Sequence, residues 1–224
     1  ADADVLVGFD PDLGTYAEIR PTVRVALAEL LGRQANLAFV SLTPEGRAVA
    51  LAELARLRRA GAAPQRIADF GFLPGAEAAL VDLTRDFPEP MTDGAIGRRI
   101  AEGGFDEVEA VLVVGGNDLG PRSWVEQVLP RVDDVPALAI APTIGLPELR
   151  PYLDTGQLAA LVATPRDGAA YRQAADLGTG ERLVTPEEPS VPALLVGLTV
   201  ALLVLGQSLV AGPAHPNGLE REPR

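Results

Sequence analysis

Short runs of consecutive apolar residues alternate along this chain with longer segments in which apolar positions recur at intervals of three and four. The short runs fall at 5–9, 37–42, 67–72, 110–114, 137–141 and 158–163. Most are apolar throughout, which predicts strands covered on both faces, as in a parallel sheet wrapped by helices. Helical periodicity occupies 15–32, 44–60, 75–85, 94–102, 123–131, 147–154 and 166–175. In the first of these, Ile19, Val23, Leu27, Leu30 and Leu31 share one face, while Glu18, Arg24, Glu29 and Arg33 lie largely off it. Pro21 falls early in that segment and points to a helix start nearer residue 20. Strand and helix in regular alternation predict an α/β fold: a Rossmann-like three-layer sandwich around a mostly parallel sheet. The proline-rich stretch 86–93, DFPEPMTD, reads as a surface loop before a short helix.

The last apolar segment is of another kind. Residues 191–212, VPALLVGLTVALLVLGQSLVAG, carry no charge in an otherwise acidic chain. A helix of that length reaches about 33 Å, against a hydrocarbon core of about 30 Å. A buried core helix is the alternative, but it seldom needs every face apolar. The organisation expected is a Rossmann-like domain at 1–175, a linker rich in Gly and Pro at 176–190, a single C-terminal transmembrane helix at 191–212, and a polar tail at 213–224. On that helix Gly197, Ala201, Val204 and Ser208 fall along one stripe with Gln207 beside it. Small residues at such spacing suit close helix–helix contact, so another membrane protein subunit is an expected partner. The chain opens ADADV without Met. Read as the product of signal cleavage, that start would place the domain outside the cytoplasm, at the cell membrane, with Arg221 and Arg224 inside.

Composition narrows the chemistry. Net charge is −12, which repels phosphate backbones and makes nucleic acid a poor partner. There is no Cys, and all nineteen basic residues are Arg. Thiol nucleophiles, Schiff bases and the P-loop lysine are thereby excluded, and no cofactor is expected. The one His is His215, in the tail, so a Ser–His or His–metal site within the domain is excluded too. What remains is Asp, Glu, Tyr, Arg and a few hydroxyls, a set that favours binding over catalysis.

In a parallel sheet of this kind, ligands bind beyond the carboxyl ends of the strands. The turns predicted there carry Asp10, Asp12, Thr43, Pro74, Gly75, Gly116, Asn117, Asp118, Thr143 and Thr164. Thr43-Pro44 and Thr164-Pro165 have the form of helix N-caps, the latter with Asp167 at capping-box spacing. Gly115-Gly116 lets the chain turn tightly, with Asn117 or Asp118 expected to cap the next helix. Trp124, the only Trp, is expected as a core or rim anchor beside that turn. Paired carboxylates at Asp10 and Asp12, joined by Asp118, are the alternative centre: a metal site for a hydrolase or transferase.

Three resemblances bear on function. The segment Asp10-Pro11-Asp12 resembles the aspartyl nucleophile loop of haloacid-dehalogenase-type phosphatases. Gly14, however, stands where that family has Thr or Val, and the phosphate-pairing Lys is absent. The run VVGGNDL (113–119), with Gly115-Gly116-Asn117-Asp118, is similar to the Gly-x-Asn-Asp block of SGNH hydrolases, and His215-Pro216-Asn217 echoes their His block. Asp10 occupies the place of the nucleophilic Ser, and Gly212 that of the catalytic Asp. Finally, GFDPDLG, FGFLPGAEAAL and RPYLDTGQLAALV together resemble a family of uncharacterised bacterial membrane-anchored Rossmann-like α/β proteins. That resemblance implies the architecture and no activity. The expectation is a non-enzymatic, membrane-anchored extracytoplasmic domain that binds a partner protein or small ligand, as a subunit of a membrane complex.

Overall fold

The computed structural model describes residues 3–92 and 94–178. Six strands form one sheet: β1 (Asp4–Asp10), β2 (Asn36–Ser41), β3 (Ile67–Phe72), β4 (Ala110–Gly115), β5 (Ala137–Ile140) and β6 (Ala160–Val162). Their order is β3-β2-β1-β4-β5-β6, and every neighbouring pair is parallel. Seven α-helices accompany the sheet among the described residues: α1 (Leu13–Gly32), α2 (Pro44–Arg59), α3 (Glu77–Leu83), α4 (Ala95–Gly103), α5 (Pro121–Gln127), α6 (Leu146–Asp154) and α7 (Pro165–Gly178), with four short 3-10 turns in the connections. The fold is Rossmann-like. Every run of apolar residues expected as a strand is one, with ends displaced by one or two residues.

The period of two within the strands divides the core into two layers. Val5, Val7 and Phe9 of β1 face α1, α2 and α7, packed with Leu37, Phe39, Leu112 and Val114. Leu6 faces the other way, toward α3, α4 and α5, with Val40, Val111, Val113 and Trp124. All seven residues of β1 are buried, as its central position requires. Gly8 permits the closest packing on this strand. A Cβ there would lie 2.6 Å from Cε2 and Cζ2 of the fully buried Trp124, so the indole rests directly on the backbone of β1.

Two local features differ from the sequence expectation. Helix α1 begins at Leu13 and not near residue 20, because Asp12 caps it: Asp12 Oδ1 accepts from the Thr15 N–H at 2.8 Å. Pro21 lies inside the helix and withholds one bond from the Ala17 carbonyl, on a side exposed to water. The 86–93 excursion is more than a connection. The Met91 N–H donates to the Asp69 carbonyl at 2.6 Å, and the Asp69 N–H donates to Thr92 Oγ1 at 3.1 Å. This segment therefore covers the free margin of β3, which would otherwise present unpaired backbone groups. Beneath it, Arg47 forms a two-bonded pair with the buried Asp69, at 2.6 and 2.9 Å.

Helix α7 lies on α1 and runs the same way. A Cβ on Gly168 would approach Thr22 Oγ1 at 2.8 Å, and the buried Tyr171 feels the charges of Glu29 and Arg33, further along α1. The chain thus leaves the described domain at the amino edge of the sheet. Among the described residues no helix is long and apolar enough to cross a membrane. The 191–212 stretch, with Gly197, Ala201, Val204, Gln207 and Ser208, lies outside the described residues, as do most of the 176–190 linker and the tail.

Candidate functional site

The strand order reverses between β1 and β4, and the crevice beyond their carboxyl ends is where such folds place ligands. Asp10 closes β1 there and is fully buried. Its Oδ1 accepts three bonds from the start of the β2–α2 connection: the Leu42 N–H at 2.7 Å, the Thr43 N–H at 2.8 Å and Thr43 Oγ1 at 3.0 Å. Its Oδ2 is buried without a hydrogen-bond partner. Burial pushes the Asp10 carboxyl up to about 6, against the lowering effect of those Leu42 and Thr43 bonds. Thr43 in turn caps α2, its Oγ1 accepting from the Gly46 N–H at 3.0 Å. Gly46 is required by contact: a Cβ there would lie 2.7 Å from Asp10 Oδ1.

Opposite Asp10, Asn117 reaches across the switch point. Its Nδ2 donates to the Asp10 carbonyl at 2.8 Å, and its Oδ1 accepts from the Leu119 N–H at 3.0 Å. Neither Asn117 nor Asp118 caps α5, contrary to expectation. The cap position is Gly120 and carries no side-chain bond. Asn117 lies too early in the turn for that and instead ties the ends of β1 and β4 together. Asp118 is exposed, and its carbonyl accepts from Ser123 Oγ. Gly116 lies against Pro142, where a Cβ would meet Cγ at 2.3 Å.

A further bond spans the mouth of the crevice. Glu18, on the second turn of α1, accepts from both the N–H (2.9 Å) and Oγ1 of Thr143, in the connection after β5. Nothing in the sequence pointed to this pair, which is separated by 125 positions. Thr15 was likewise missed as a partner of Asp12, although Asp-x-x-Thr is a readable capping spacing. The Thr15 side-chain bond holds the Asp12 carboxyl below its ordinary value.

The remaining expected residues stand apart. Pro74 and Gly75 follow β3 at one margin of the sheet, and Thr164 follows β6 at the other, its Oγ1 accepting from the Asp167 N–H at 3.0 Å. Five strand spacings of about 4.8 Å separate those margins, so the ten residues do not form one pocket. The β3 connection is strained: Gly75 has φ 121°, and Ala76 has φ 54° with ψ −128°, a region natural only to Gly. A shallow depression of about 420 Å³ beside Arg98, Arg99, Glu102 and Glu107 lies at the opposite edge, where Arg99 is paired with Asp4.

The chemistry available follows from these bonds. Among the described residues no three carboxylates or histidines stand together to hold a metal ion, and Asp10, Asp12 and Asp118 are no exception. In a dinucleotide site the first helix directs its N–H groups at a pyrophosphate. Here the Asp12 carboxylate already occupies the first turn of α1, and its charge repels a phosphate. Comparison with protein-family models, with curated proteins and with solved structures returns no match to this chain.

Proposed function

We propose that this chain is a non-enzymatic, membrane-anchored α/β domain whose carboxyl edge binds a partner protein, as a subunit of a larger membrane assembly. The observation that carries the reading is how the polar groups at the switch point are used. Asp12 caps α1, Thr43 caps α2, Asn117 ties β4 to β1, and Glu18 holds the β5 connection. Side chains committed to holding loops in place make a rigid recognition surface, and they leave no free nucleophile and base side by side. The absence of Cys and Lys supports the same view, as does His215 standing beyond the apolar stretch. The anchor and the extracytoplasmic side rest on the uncharged 191–212 stretch and on the resemblance to membrane-anchored α/β proteins.

The test is a chain ended after Glu188. We expect it to be soluble and monomeric with undiminished helical circular dichroism, while the full chain sediments with membranes. Aggregation or lost helicity in the shortened chain would place 191–212 in the core and remove the anchor. Protease added to intact spheroplasts should digest the domain, and resistance until lysis would reverse the topology.

A further inference from the structure

Five large apolar side chains are exposed among the described residues: Leu13, Leu51, Phe72, Met91 and Ile144. Single exposed apolar residues are ordinary on protein surfaces. Their placement here is not scattered. Leu13 opens α1, Phe72 ends β3, Met91 packs beside Gly71 of β3, and Ile144 follows β5, so four of the five lie along the carboxyl edge in two pairs, Phe72 with Met91 at β3 and Leu13 with Ile144 near the switch point. Leu13 and Ile144 are 68% and 79% exposed. They belong to neighbouring segments, because Glu18 of α1 bonds to Thr143.

The charge between these side chains is mainly negative, with Arg20 the exposed cation on the second turn of α1. Asp12, Glu18, Glu45 and Asp118 all stand in the connections or early helical turns at this edge. Two arginines there are already neutralised, Arg47 by Asp69 and Arg122 by Glu126 and Glu148. Arg166 and Asp167 offset each other at the start of α7. An acidic, partly apolar face repels a second copy of itself, a nucleic acid and an anionic bilayer alike. It complements a segment with cationic heads on aliphatic stems.

We propose that the carboxyl edge docks a basic, aliphatic segment of a partner protein, with Arg or Lys interleaved with Leu, Ile or Val. The assignment rests on the partner-binding reading above and adds the chemistry of the partner. Leu13 and Ile144 supply the apolar contact, and Glu18 and Asp118 the charge.

The experiment uses the full chain, kept monodisperse in detergent, and three synthetic peptides of equal length: a Leu/Arg amphipathic helix, its Leu/Glu counterpart, and a Gly/Ser control. Affinity is read by titration calorimetry and location by hydrogen–deuterium exchange. The Leu/Arg peptide is expected to bind and to protect 11–18, 72–77, 116–119 and 142–148. Leu13→Ser with Ile144→Ser should weaken it by about tenfold or more, since both side chains lose apolar contact with it. Both residues face water, so the fold should survive this change. Glu18→Gln with Asp118→Asn is the second variant, and it should weaken binding at low salt and much less at high salt. Unchanged affinity in the Ser variant, protection away from this edge, or protection of the edge by phosphatidylglycerol vesicles would overturn the proposal. Protection of the edge by the Leu/Glu peptide would sink the basic assignment and leave the edge as a docking face. Absence of protection by all three would remove both.

Discussion

Asp10 offers the sharpest quantitative test of the switch point, because its burial has a cost that depends on pH. The ordinary value of an Asp carboxyl is 3.8, and in the folded domain Asp10 is pushed up to about 6. The native state therefore binds this proton more tightly than the unfolded chain does. Its contribution to stability is fully present below 3.8 and falls as pH rises through about 6. The two values differ by about 2, and each pH unit is worth about 1.4 kcal/mol, so the ionised form costs the fold about 3 kcal/mol. Asp10→Asn keeps an acceptor for the Leu42 and Thr43 bonds and removes the charge. Its amide replaces Oδ2, which already lacks a partner, so the local geometry is retained. Urea titrations followed by circular dichroism at pH 4 and pH 8 make the comparison. Relative to the parent, the variant should gain about 2–3 kcal/mol between those pH values, a midpoint difference of about 1 M urea. Groups that titrate identically in both proteins cancel. If the two unfolding midpoints move in parallel across that range, Asp10 is not a buried carboxylate held against its solvation, and the reasoning fails.

Three further outcomes follow from the same geometry. Asp12→Ala should cost about 1 kcal/mol at neutral pH through loss of the α1 cap, with the opposite pH trend. The Asp12 carboxyl lies below its ordinary value of 3.8, so the loss should fade as the parent's own cap is protonated in acid, and a difference that persists at pH 2 would refute it. Gly8→Ala should destabilise by about 1–3 kcal/mol by driving a methyl into Trp124, and most of that penalty should vanish in a Trp124→Leu background; equal costs in both backgrounds would refute the contact. Ala76→Gly should stabilise by about 1 kcal/mol by releasing φ 54°, and a lower thermal midpoint would show the strain to be absent.

The sheet was legible in the sequence because its strands are covered on both faces. Val5 to Phe9 and Val111 to Val114 are continuous apolar runs whose meaning does not depend on distant residues. The caps at Thr43 and Thr164 were legible for a similar reason, since donor and acceptor lie three residues apart. What escaped was whatever joins remote segments. Glu18 looked like a solvated residue of α1 until the β5 connection was brought beside it. Asn117 looked like a helix cap until the Asp10 carbonyl lay within reach. Arg47 and Asp69 are separated by 22 positions and meet only because α2 packs across β3. Pro21 misled for a different reason. Its penalty is local, but the cap at Asp12 and the burial of Tyr16 and Ile19 set α1 running well before it.

The placing of Trp124 gives the protein an optical reporter of its own. It is the only Trp in the chain, fully buried, with its Nε1 unpartnered and its ring on the backbone of β1 at Gly8. An indole so shielded from water emits at short wavelength and is slow to be quenched by acrylamide. Any event that parts α5 from β1, at the strand whose end carries Asp10, must shift that emission to the red. Separation of these two elements can therefore be followed in unmodified protein, by colour alone.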